Sequence, residues 1–184
     1  MIVSYFHIKG FHHKNFLTKK QFILIMKILI AYFTMSGRTK KTAESIASAL
    51  TNHDVSYFPM ELTGKFIEKI KKLDKFENDD FSEIESGLDN LDAANYDLII
   101  IGMPTYGDKP PKAFDEIIVR MKSLDGKRAI VFNTARFTGK KSLDYMKAKV
   151  EEAGAQVIDQ ARFRKLLWIG VKNAIKFGTK INEK

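Results

Sequence analysis

The chain is 184 residues long, 45% hydrophobic and 29% charged, with a formal net charge of +9 from 31 basic and 22 acidic side chains. That size and balance suit one globular domain with a real core and exclude a disordered chain. The sequence holds no cysteine, which excludes disulfides, thiolate-ligated zinc or iron–sulfur sites and a cysteinyl cofactor link, and which fits a reducing cytoplasm.

Residues 1–25 carry Lys9, Lys14, Lys19 and Lys20 and no acid, so +5 remains for Met26 onward. They show no sustained period and precede a Met-Lys-apolar start typical of a first strand. The expectation is an N-terminal extension outside the fold, followed by one domain over 26–184. His7, His12 and His13 in this stretch have no acidic neighbours and are not read as a metal site. The apolar run from Gln21 to Phe33 is about a dozen residues long and contains Lys27. A spanning helix needs roughly twenty apolar residues, so no membrane span is expected and the protein reads as soluble and cytoplasmic. The basic excess could favour acidic partners, but no cluster pairs basic residues with spaced aromatics, so nucleic acid is not an expected partner.

Ile28 to Phe33 is a short, nearly all-apolar run, as expected of a strand covered on both faces. Lys40 to Leu50 places Ala43, Ile46, Ala47 and Leu50 at helical spacing. The joint between them, Thr34-Met35-Ser36-Gly37-Arg38-Thr39, holds three hydroxyls, a glycine and a row of backbone N–H groups at the start of a helix. Such a start lacks internal partners for its first N–H groups and favours an anion, so a phosphate fits there. The plainer reading is a helix cap, for which a single Ser or Thr suffices. Neither GxxxxGK[ST] nor GxGxxG occurs at this joint.

Val55 to Met60 reads as a second strand. Helical faces follow over Lys65 to Phe76, with Phe66, Ile70 and Leu73, and over Phe81 to Leu91, with Phe81, Ile84, Leu88 and Leu91. The acidic residues between Asp74 and Asp97 read as a solvated face. DLIIIG at Asp97 to Gly102 is the third strand; it runs into Met103-Pro104-Thr105-Tyr106-Gly107-Asp108-Lys109-Pro110-Pro111, with Pro111 suited to the first position of a helix that buries Phe114, Ile117, Ile118 and Met121. Lys127 to Asn133 is a fourth strand and leads to Thr134-Ala135-Arg136-Phe137-Thr138-Gly139. A helix with Leu143, Met146, Val150 and Ala153 in register stops at Gly154. Gln156 to Phe163 is a fifth strand, Trp168 after it reads as core, and a last helix within Val171 to Ile181 uses Ala174 and Ile175. Strands and helices alternate, which predicts parallel βαβ units: an α/β fold with a doubly wound five-stranded parallel sheet and helices on both faces.

In such sheets ligands bind beyond the carboxyl ends of the strands, where strand order reverses. For order 2-1-3-4-5 that point lies between the first and third strands, next to the three loops of unusual composition. The segment T-x-S-G-x-T after the first strand, together with GMPTYG at Gly102 to Gly107 closing a strand before a Pro-led helix, resembles the flavodoxin family from Met26 to about Ile181. The resemblance implies a flavodoxin-like fold and FMN as cofactor. It implies that Thr34, Met35, Ser36, Gly37, Arg38 and Thr39 hold the FMN phosphate and that Pro104, Thr105, Tyr106 and Gly107 line the ring. Thr134, Ala135, Arg136, Phe137 and Gly139 would lie near the ring's pyrimidine side. It also implies an electron carrier that meets redox partner proteins, a reductase or an acceptor, with no catalytic residue and no metal of its own. The loops contain no histidine, and Asp108 is their only carboxylate. Arg136 and Arg38 are more cationic than an acidic carrier would show, which predicts a less negative second flavin potential. The alternative on the same fold is an FMN-dependent NAD(P)H or quinone oxidoreductase. A phospho-acceptor signalling domain would need an aspartate where Gly102 closes the third strand. The sequence leaves the oligomeric state open.

Overall fold

The computed structural model describes residues 25–164 and 170–182. Trp168 and nearly all of the expected N-terminal extension lie outside the described residues. Five strands form one parallel sheet in the order β2-β1-β3-β4-β5: β1 (Lys27–Thr34), β2 (Asp54–Glu61), β3 (Leu98–Pro104), β4 (Arg128–Ala135) and β5 (Gln156–Arg164). Six helices connect and follow them: α1 (Arg38–Ala47), α2 (Phe66–Glu77), α3 (Ser82–Leu88), α4 (Ala113–Arg120), α5 (Lys140–Glu152) and α6 (Val171–Ile181).

Strand alternation divides the apolar residues between two cores. Ile28, Ile30, Ile100, Ile130 and Phe132 face α1 and α6, while Leu29, Ala31, Phe33, Ile99, Ile101 and Val131 face the side occupied by α3, α4 and α5. The inner strands are covered on both faces, which explains their continuous apolar runs. The edge strands β2 and β5 are mostly half-buried or exposed, with only Met60 and Phe163 buried.

Several expectations shift. Pro111 precedes α4 rather than opening it: Lys112 is the N-cap and the helix begins at Ala113. In α2 only the far end of the expected face is covered: Phe66 is 63% and Ile70 39% exposed, while Leu73 packs against the core where the helix is anchored. There Phe76 packs on Phe33 and Phe81 with ring centroids 6.0 and 5.6 Å apart. In α6 Ala174 is buried but Ile175 is exposed; Gly178 turns inward instead and brings the helix against Ile46 of α1. The acidic stretch is exposed as expected but largely paired. Glu83 meets Lys72 and Lys75, Asp79 meets Lys112, and Arg120 gathers Glu85, Asp89 and Glu116.

Candidate functional site

β1, β3, β4 and β5 all end on the same side of the sheet, and the segments that follow β1, β3 and β4, together with the end of β5, line a cleft of about 470 Å³. That volume is within the range of small-molecule sites. Its walls are Thr34, Met35, Ser36, Arg38 and Thr39 after β1, Pro104 to Gly107 after β3, and Thr134 to Phe137 with Gly139 after β4. Of the residues singled out in the sequence, only Gly37 is not part of the wall. Three others are: Phe66 at the start of α2, and Phe163 and Arg164 at the end of β5.

The β1–α1 joint is held by its own chemistry. The N–H of Gly37 donates to Thr34 Oγ1 at 3.1 Å, which curls the loop, and Gly37 is the N-cap of α1 with φ +78°, a conformation that favours glycine. The hydroxyls around it do not cap the helix: no side chain bonds its first turn, and the first intrahelical bond runs from Lys41 to Gly37. The N–H groups ahead of that bond point out of the helix start with its partial positive charge. Thr39 is buried, and its hydroxyl lies 3.0 Å from that of Thr134, tying α1 to the end of β4. Lys69 of α2 donates to the Met35 carbonyl at 3.1 Å and steadies the loop from outside.

The β3 and β4 loops are tied to each other. The Thr105 N–H donates to the Thr134 carbonyl at 2.9 Å. Beneath them Asn133, fully buried, donates from Nδ2 to the Gly139 carbonyl at 2.7 Å and to Thr105 Oγ1 at 3.0 Å, and the Thr105 hydroxyl donates in turn to Ser142 Oγ at 3.1 Å. The Asn133 Oδ1 has no protein partner among the described residues. Tyr106 and Lys109 exchange backbone hydrogen bonds around a tight turn in which Gly107 has φ +60°. Tyr106 stands at the cleft with 38% of its surface exposed. Burial of the rest pushes its hydroxyl up to about 12, while the positive charge of Arg38 pulls the other way. Gly102 belongs to the packing: a Cβ there would collide with the Phe132 ring.

Among the described residues, Arg38, Arg136 and Arg164 are the only charged members of the wall, and no carboxylate lines it. Asp108, outside it, is paired with Lys141 at 3.0 Å. Arg136 is exposed, with its guanidinium 5.7 Å from the centroid of the Phe137 ring. The cleft therefore offers an uncapped helix start and a cation at one end. At the other it offers aromatic and apolar walls on loops locked together from below.

No protein-family model matches the chain. It is 29% identical over 140 residues to a probable flavodoxin 2 of Bacillus subtilis (strain 168), covering 72% of this chain and 77% of the relative. Among solved structures it resembles a flavoprotein in complex with FMN from Lactobacillus acidophilus NCFM, at 28% identity and TM-score 0.55, over 74% of this chain and 93% of the other. Oxidised flavodoxin 2 from Bacillus cereus shares the fold, with 22% identity, TM-score 0.56 and coverage of 85% and 98%. The chain is similar to flavodoxins and FMN flavoproteins and shares the flavodoxin-like fold.

Within this flavodoxin-like chain the three wall residues not singled out in the sequence have a common origin. Phe66 follows the strand beside β1, and Arg164 ends the strand beside β4. Both therefore lie on the ligand side of the sheet by strand order alone, and that order, applied to every strand end, would have pointed to them.

Proposed function

We propose that the protein is an FMN-binding electron carrier of the flavodoxin type that passes electrons between redox partner proteins. The observation that supports it is the polarity of the cleft: a phosphate-ready helix start beside Arg38, and at the far end a locked aromatic wall with no carboxylate or histidine among its described residues. In this reading residues 34–39 hold the phosphate. The N–H groups at the start of α1 donate to it and Arg38 balances part of its charge of about −2. Pro104, Thr105, Tyr106 and Gly107 hold one side of the ring, with Tyr106 offering an aromatic face. Thr134, Ala135, Arg136, Phe137 and Gly139 hold the pyrimidine side, and the Asn133 clamp keeps the two loops at a fixed separation. Bound FMN supplies the redox chemistry. The domain that binds it is proposed to span 26–184, with residues 1–25 outside it; Met26 is already packed in the core and its N–H donates to His53 Nδ1 at 3.2 Å. A cytoplasmic location goes with this reading. Among the described residues no helix is long and apolar enough to cross a membrane.

The test is a titration of apoprotein with FMN followed by flavin fluorescence. Saturable quenching at one FMN per chain is expected, with riboflavin, which lacks the phosphate, binding at least tenfold more weakly. A protein that leaves FMN fluorescence unchanged overturns the proposal. Arg136 and Arg164, which have no ion-pair partner among the described residues, favour a second reading, an FMN-dependent NAD(P)H or quinone oxidoreductase. Anaerobic mixing with NADPH separates the two: rapid bleaching of the flavin supports the enzyme, and none supports the carrier.

A further inference from the structure

The charges and exposed apolar residues at the mouth of the cleft exceed what a phosphate and a ring require. Arg38 is beside the phosphate loop. Arg136 and Arg164 are not: adjacent strands are spaced about 4.8 Å apart, so the ends of β4 and β5 lie about 10 and 14 Å across the sheet from the end of β1. Neither arginine has a carboxylate partner among the described residues. Lys65, Lys109 and Lys140, exposed and adjacent in sequence to wall residues or their turns, have none either. The nearby carboxylates are occupied. Glu61 pairs with Lys40, Asp108 with Lys141, and Glu68 accepts the Lys65 N–H at 2.7 Å.

Apolar surface accompanies these cations. Phe137 is 74% exposed on the β4 side and Phe66 63% on the α2 side. Ile67, which is not part of the cleft wall, is 68% exposed, so the apolar surface continues past the mouth. Arginine with aromatic residues is the composition enriched in the cores of protein interfaces, whereas a nucleotide needs enclosing walls.

We propose that this rim is a docking surface for an acidic protein, with Arg136 and Arg164 as its charge contacts and Phe137, Phe66 and Ile67 as its apolar ones. The proposal rests on the electron-carrier reading, because the rim surrounds the cleft through which electrons would leave. Opposite charge on the partner raises the encounter rate and orients it over the cleft, and the exposed aromatics supply the contact that holds it.

The experiment uses protein already loaded with FMN, with saturable quenching established first; a failure at that stage strikes the carrier reading and not this one. The probes are an oxidised, acidic plant-type ferredoxin and a basic cytochrome c, each fluorescently labelled, with Kd measured by anisotropy. The ferredoxin should bind at low salt and weaken at least tenfold as the Debye length falls from about 30 to about 8 Å, while cytochrome c should bind far more weakly. The double variant R136Q/R164Q should weaken ferredoxin binding about tenfold at low salt and flatten its salt dependence. F137A should weaken binding with the salt dependence kept. The charge-matched control K147Q/K176Q, on the outer faces of α5 and α6, should change Kd less than twofold. Circular dichroism checks that each variant is folded. Equal binding of the two probes, binding of neither, or an equal loss in the control overturns the docking surface. So does direct reduction by NADPH with a KM that rises in R136Q/R164Q, which would assign the arginines to a nucleotide.

Discussion

Asn133 braces the loops after β3 and β4 from below, and its replacement by alanine tests that bracing. Its Nδ2 makes two hydrogen bonds in a fully buried place, at 2.7 Å to the Gly139 carbonyl and 3.0 Å to Thr105 Oγ1. Each such bond contributes about 0.5–1.5 kcal/mol net, so their loss costs about 2 kcal/mol. Neither partner is orphaned: Gly139 still accepts from the Leu143 N–H at 3.1 Å, and Thr105 still donates to Ser142. The small cavity left by the side chain adds on the order of 1 kcal/mol, offset by removal of the unpartnered Oδ1. Urea denaturation of the apoprotein should therefore show N133A destabilised by about 2–3 kcal/mol. Apoprotein is needed, since bound FMN would add its own stabilisation. FMN affinity should fall about tenfold, and no further, because the Thr105 N–H to Thr134 carbonyl bond still joins the loops. N133D keeps the shape but turns both donated bonds into oxygen–oxygen contacts around a buried charge, so it should be less stable than N133A. An N133A protein with reduced stability and unchanged FMN affinity would refute the clamp, and an N133D protein as stable as wild type would refute the hydrogen-bond assignment.

Gly178→Ala should destabilise the apoprotein by about 1–3 kcal/mol by urea denaturation, because a Cβ there presses on the Ile46 carbonyl and comes within 2.9 Å of the Ala49 Cβ; FMN affinity should not change. Arg136→Gln should lower the second flavin potential by on the order of 20–40 mV in a spectroelectrochemical titration, a screened fraction of the full contact interaction, since the guanidinium is exposed. Unchanged potentials would show that Arg136 does not tune the flavin. Burial, and after it the hydrogen bond to Asp115 at 2.7 Å, pushes the Tyr145 hydroxyl up to about 12. The fold thus favours the neutral phenol: its contribution to stability is complete below pH 10 and is lost as pH rises from 10 toward 12. Denaturation at pH 8 and pH 11 should show Tyr145→Phe with a weaker alkaline loss than wild type; equal losses would refute the assignment.

The sheet was legible because burial on both faces leaves a strong local trace. β1, β3 and β4 are almost wholly buried and their sequences are unbroken apolar runs, so parallel βαβ units followed from their alternation with helices, while the order 2-1-3-4-5 is what the flavodoxin resemblance implies. The loops after β1, β3 and β4 were legible because backbone chemistry is written in Gly, Pro, Ser and Thr. Helical faces were less so. Periodicity shows that Phe66, Ile70 and Leu73 lie on one side of α2, but not how far that side is covered; Leu73 and Phe76, toward the far end, carry the packing. In α6 an isoleucine outranks a glycine by hydropathy, yet Gly178 is the inward residue because α1 approaches too closely for a larger one. Phe163 and Arg164 carry no motif, and their role depends on where β5 ends relative to β4.

Net charge is a poor guide here until it is divided in space. The acidic residues between Asp79 and Asp89 are met by Lys72, Lys75, Lys112 and Arg120, so that side of the molecule is close to balanced. On the ligand side the described wall has arginines and no carboxylate. Exposed ion pairs of this kind contribute about 0–1 kcal/mol each, so the paired belt adds little to stability, which rests on the two apolar cores. Salt therefore acts unequally on the two sides. It screens pairs whose loss the cores tolerate, and it screens the unpaired cations at the cleft, which have no second source of long-range attraction. A folded protein that keeps its FMN but loses its partner as ionic strength rises is the behaviour this division of charge requires.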